Sequence, residues 1–175
     1  MNKTSKLLTL LLFLITITMS FSSLAKNANY TSDYTPLEKC QVIESSDNDP
    51  QAQIDYFTQE CPGKDNYRIF HEGGDSKSWI VIKKGNEVIT NLQQAVMQNA
   101  PGNFPSVSGK KMEWRYLGKT PIAIIFRIAG SNETGTQTKS KLLVVRLTGE
   151  NACVIGAATS NVEARKIADS KKTCQ

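Results

Sequence analysis

Four cysteines, Cys40, Cys61, Cys153 and Cys174, constrain this chain more than any other feature. The count is even, no Cys-x-x-Cys occurs, and the single histidine is His71. A zinc site lacks ligands on that basis, and two disulfides are the natural use of the four thiols. Three pairings are open. Pairing of chain neighbours, Cys40 with Cys61 and Cys153 with Cys174, is favoured because each closes a loop of only about 22 residues, for roughly 3 kcal/mol on the chain-entropy model. Disulfides imply an oxidising compartment.

The N-terminus supplies a route to one. Met1–Lys6 holds two lysines and no acid, Leu7–Met19 is apolar apart from three threonines, and Ser20–Ala25 ends in Ser-Leu-Ala. That is a basic, then apolar, then small-x-small export signal, with cleavage expected after Ala25. The apolar run is short for a membrane span. No cysteine follows the cleavage point to carry a lipid, so no transmembrane or lipid anchor is expected. The expected location is periplasmic or secreted. The remaining ~150 residues suit a single domain, read as a flexible N-terminal arm over 26–35 and a disulfide-stabilised β-rich domain over 36–175. Hydrophobic residues at 39% argue against disorder. The net charge of +5, which loses Lys3 and Lys6 with the signal, is mild and scattered. It fits attraction to an anionic envelope polymer or an envelope protein, and it lacks the clustered stripe that nucleic acid requires.

Hydrophobic periodicity predicts strands. Met112, Trp114 and Tyr116 alternate with polar residues; so do Ile122, Ile124, Phe126 and Ile128, and Leu143, Val145 and Leu147. A period of two is what a sheet with one dry and one wet face requires. Shorter candidates are Cys40–Glu44, Ile54–Cys61 (ended by Pro62-Gly63), Tyr67–His71, Trp79–Lys83, Glu87–Thr90 and Ala152–Ala157. A short helix is expected within 91–99, and a loop over 100–109. Ser160 and Glu163 have capping-box spacing and predict a C-terminal helix to about Lys172. The expected fold is mainly β (α+β), an antiparallel rolled sheet or small barrel of seven or eight strands with a C-terminal helix.

No established catalytic set emerges. His71 with Glu72 or Asp75 is the one proton-transfer pair available to a small hydrolase, although a histidine at a strand end beside a turn explains it more simply. Ser108 and Lys111 have Ser-x-x-Lys spacing without its supporting Lys-Thr-Gly, and Gly118-Lys119-Thr120 lacks the first glycine of a phosphate loop. No metal or cofactor is expected. The candidate binding loop is Ser106–Lys111, with Ser106, Ser108, Gly109, Lys110 and Lys111, whose small and cationic tip suits a carboxylate-lined cleft. A candidate basic face comprises Arg115, Arg127 and Arg146.

Cys61-Pro62-Gly63 after Cys40, Met112-Glu113-Trp114-Arg115, Leu143-Val144-Val145, Cys153 and Ala164-Arg165-Lys166-Ile167-Ala168-Asp169 together resemble a family of small uncharacterised exported, disulfide-containing proteins of Gram-negative bacteria. The resemblance spans about Thr35 to Cys174. It implies compartment and fold, and it supports the two local disulfides. The architecture is also similar, more loosely, to periplasmic lysozyme inhibitors, small disulfide-bonded β-barrels that use a Ser-Gly loop and a later tyrosine; Ser108-Gly109 and Tyr116 are the counterparts here. The leading expectation is an exported binding protein without catalysis, in its sharper form an inhibitor of a cell-wall enzyme. The alternatives are the hydrolase built on His71 and an envelope assembly or adhesion partner.

Overall fold

Alternation of apolar residues builds two antiparallel sheets. The computed structural model describes residues 29–132, 134, 136 and 139–174; the expected export segment 1–25, and the first residues of the expected arm, lie outside them. The strands are β1 (Tyr30–Pro36), β2 (Gln41–Ser45), β3 (Tyr56–Lys64), β4 (Tyr67–Gly74), β5 (Lys77–Lys84), β6 (Glu87–Asn91), β7 (Asn103–Val107), β8 (Lys111–Leu117), β9 (Thr120–Ser131), β10 (Lys141–Leu147) and β11 (Ala152–Ala158). Helix α1 (Gln93–Asn99) follows β6, and helix α2 (Asn161–Ala168) follows β11. The second sheet is the meander β2-β3-β4-β5-β6. The first runs β1-β8-β9-β10-β11, and β7 pairs with the far half of β9 beyond the end of β8.

Turn chemistry sets these registers. Asp65-Asn66 joins β3 to β4 and Asp75-Ser76 joins β4 to β5; all four residues have positive φ, from 51° to 67°. Two left-handed residues in a two-residue loop match the twist of paired strands, and Asp and Asn bear that conformation at little cost.

The inner faces of the sheets share one core. Ile69, Ile80 and Ile82 of the second sheet meet Trp114, Phe126 and Leu143 of the first, each no more than 1% exposed. The one polar atom of Trp114 is satisfied there, its indole N–H donating to Thr35 Oγ1 at 2.9 Å. Leu92, which precedes α1, and Val96 within it belong to the same core. On its outer face the first sheet is covered by α2, where Ala164 and Ala168 pack on Ala123, Val144 and Ala158. Small residues on both sides let the helix lie close: a Cβ on Gly156 would stand 3.2 Å from the Ile167 side chain. Both disulfides are chain-local, Cys40–Cys61 and Cys153–Cys174.

The mainly β fold with a C-terminal helix therefore stands, with several corrections. The architecture is two stacked sheets and no closed barrel, with eleven strands among the described residues. The face of β9 and β10 expected to be wet is largely covered by α2, and Arg127 of β9 stays half-buried beyond it. The expected arm over 26–35 is, from Tyr30 onward, the strand β1, paired with β8 along its length. Its side chains are polar but bonded: Tyr30 Oη donates to Asp169 O, and Ser32 Oγ to Glu113. The expected loop over 100–109 contains β7. Finally, β3 continues through Pro62-Gly63, where a shift of register absorbs the extra residues. Helix α2 ends at Ala168, short of Lys172. No helix among the described residues is long and apolar enough to cross a membrane.

Gly63 sits where the bulge presses on β4: an added Cβ would lie 1.9 Å from the Tyr67 carbonyl oxygen. Gly63→Ala should lower the thermal midpoint by about 4–8 °C, on the order of 2 kcal/mol. Scanning calorimetry of the oxidised protein measures it, and an unchanged midpoint would show that the bulge relaxes freely.

Candidate functional site

The outer face of the first sheet carries three arginines in adjacent strands: Arg115 on β8, Arg127 on β9 and Arg146 on β10. They do not form one exposed basic face. Arg115 is 7% exposed and grips Asp169, its Nε and Nη2 donating to the two carboxylate oxygens at 3.0 and 2.5 Å, while Nη1 donates to Ser32 Oγ at 2.6 Å. Arg146 is 9% exposed and donates to three carbonyls, those of Ile122, Ser170 and Lys172. Burial pulls its guanidinium below the ordinary arginine range, and three carbonyl acceptors compensate for lost water. Two of the three arginines thus fasten the segment after α2 to the sheet, beside the Cys153–Cys174 bridge.

Arg127 lies at the other end of the helix, where the sheet runs on uncovered. There a groove of about 370 Å³ opens. Its floor is apolar, with Ile125 and Leu142. One wall is Gly109, Lys110 and Lys111; the other is Asn161 and Arg165 in the first turns of α2, and Tyr34 of β1 closes an end. The charges are unequal. Glu113, the one acid in the lining, receives Arg165 Nε at 2.7 Å and Nη2 at 3.2 Å, and Ser32 Oγ as well. The Glu113 carboxylate raises Arg165 in turn. That pairing leaves Lys110, Lys111 and Arg127 as a positive excess. Lys111 Nζ stands 4.4 Å over the Tyr34 ring, a weak hold that keeps the ammonium at the rim. Lys110 pairs with Glu38 at 3.1 Å, both side chains exposed, an interaction worth little against a competing anion. Arg127 uses Nη1 on Ser140 Oγ. The helix adds the positive end of its dipole on the Asn161 side.

The structure therefore brings together Gly109, Lys110, Lys111 and Arg127 and leaves out the rest of the expected set. Ser106 belongs to β7 and lines a different groove. The Ser108 hydroxyl is buried without a partner, while its amide donates to Arg127 O at 3.0 Å. Tyr34, Asn161 and Arg165 are the residues that sequence reasoning missed. Arg165 is one charged position among several on a short helix, and only the packing of α2 shows which strands it faces.

His71 and its expected partners do not converge. Consecutive residues of a strand point to opposite faces. His71 lies on the inner side of β4, edge-on to Phe57 with ring centres 5.1 Å apart. Glu72 points outward and accepts the Trp79 indole N–H at 3.2 Å. Asp75 sits in the following turn. The His71 Nε2 is buried with no hydrogen-bond partner. Among the described residues no three His, Cys, Asp or Glu side chains are grouped to hold a metal ion.

Comparison with known proteins finds no matching family model, no similar curated protein and no similar solved structure.

Burial lowers the pKa of His71 below its ordinary value. The unfolded chain then binds a proton near pH ~6.5 that the folded chain refuses, so stability is full above that pH and falls as pH drops toward the folded pKa. Urea midpoints should fall between about pH 7.5 and 5, and His71→Leu should flatten that slope. Equal slopes in both proteins would assign the pH dependence elsewhere.

Proposed function

We propose that this chain is an exported binding protein that takes an anionic partner in the groove between the Gly109–Lys111 turn and the start of α2. One observation carries the reading: Lys110, Lys111 and Arg127, from different strands and a turn, line one concave site whose only acid is already neutralised. The export signal, the local disulfides and the resemblance to small exported proteins support the compartment. An apolar floor beneath a cationic rim suits a carboxylate or phosphate carried on a larger body, such as an envelope polymer or an envelope protein. The sharper form is inhibition of a cell-wall enzyme. Lys110, with its side chain 83% exposed at the tip of the turn, has the reach to enter a carboxylate-lined cleft.

The test uses poly-L-glutamate and inorganic polyphosphate as probes. Binding should weaken steeply with salt, since exposed charges are screened within about 8–10 Å. Lys111→Glu should weaken it about tenfold or more, whereas Lys119→Glu, an exposed charge at the β8–β9 turn, should not. Equal losses in the two variants, or no binding of either polymer, would sink the reading. The inhibitor form is checked separately against a panel of cell-wall hydrolases, and unchanged rates across the panel would remove it.

A further inference from the structure

We infer that a second site, at the opposite side of the molecule's charge distribution, binds a neutral oligosaccharide. A groove of about 510 Å³ lies where the second sheet's β2–β3 edge faces β7 of the first. Its charges are the reverse of those in the cationic groove. Asp47, Asp55 and Asp75 line it against a single Lys77. An anion is therefore repelled.

The rest of the lining narrows the ligand further. The hydroxyls of Ser45, Ser78 and Ser106 are already engaged, by the Asp47 amide, the Val107 amide and the Ala129 carbonyl; Ser46 and Ser76 present hydroxyls, and Gln59 an amide. Each such group both donates and accepts. A wholly apolar ligand would cover them without supplying partners, at a cost of about 1–3 kcal/mol for each group left unpaired. A polyhydroxylated ligand answers them in kind, and carboxylates accept readily from its hydroxyls. Tyr56 and Phe57 add flat apolar surface to the same groove. The C–H face of a sugar ring stacks on such a surface, as apolar groups do on aromatic rings.

The site is also extended. A second groove, of about 390 Å³, flanks the same rim of Tyr56, Phe57 and Asp75 and adds Trp79 and Gln93. Trp79 is held in place by its bond to Glu72. A chain of several sugar units can cross the rim and use both. The frame beneath is rigid: the Cys40–Cys61 bridge ties the start of β2 to β3, and the two-residue Asp75-Ser76 turn fixes the opposite wall.

The experiment is an amide-shift titration of the full mature, oxidised chain with chitotetraose, cellotetraose and maltotetraose, and with hexalysine as a competing ligand class. At least one tetraose should shift the amides of Ser45–Asp47, Asp55–Phe57 and Asp75–Ser78. Tyr56→Ala should weaken that binding about tenfold, the loss of one stacking surface. Asp75→Asn, which suits the left-handed turn as well as Asp does, keeps the fold and should weaken it several-fold. The proposal is overturned by no tetraose binding up to about 10 mM, by shifts confined to Gly109–Lys111 and Arg127, or by affinity unchanged in both variants. Shifts of these amides by hexalysine alone would assign the groove to a basic peptide and also overturn it.

Discussion

Everything in this fold follows from a sheet whose two faces must both be kept from water. Strands β9 and β10 carry apolar residues on both sides, with Arg127 and Arg146 the exceptions on the outer one, so one cover does not suffice. The second sheet supplies one cover with its own dry face. The other is α2, which has only eight residues, a length that is marginal as an isolated helix. It persists because it is held. Ala164 and Ala168 pack closely on the sheet, Ser160 caps the first turn, and Glu163 reaches back to the Thr159 amide. Beyond its last turn, the segment to Cys174 is fastened by Asp169 to Arg115, by two carbonyls to Arg146 and by a disulfide to Cys153.

The shortness of that helix also shapes the surface. A longer helix would cover the sheet from end to end and bury Arg127 with its two neighbours. As it stands, the cover ends at Asn161, and the sheet beyond opens as a groove with an apolar floor. The same face of the same sheet thus holds buried arginines that serve architecture and an open cationic rim available to a ligand. Whether an arginine is covered depends on its distance along the strand from the helix, a quantity with no local signature.

Polar side chains misled the reading of the sequence in a consistent way. The segment 26–35 reads as a polar arm because strand patterns are recognised by oily residues, yet from Tyr30 it is β1. Here the alternating residues are Tyr30, Ser32 and Tyr34, and what they meet are Asp169, Glu113 and Arg165, far along the chain. Pro62-Gly63 reads as a stop, yet a bulge in the β3–β4 pairing accommodates both residues. His71 and Glu72 read as a possible pair because they are adjacent, although adjacency in a strand places side chains on opposite faces.

By itself the sequence determined the β-rich class, the principal strands, the capped terminal helix and the local disulfides. These depend on residues within one or two turns or on alternation within a single strand, and short-range sterics and burial decide them. Only the tertiary structure decided that there are two sheets and not one rolled sheet, that Arg115 and Arg146 are covered while Arg127 is not, and that Lys111, Arg127 and Tyr34 share a groove. Those outcomes depend on which surfaces meet, and the gain from burying apolar area is non-directional: it demands that the faces be covered without naming, in any local stretch of chain, what will cover them.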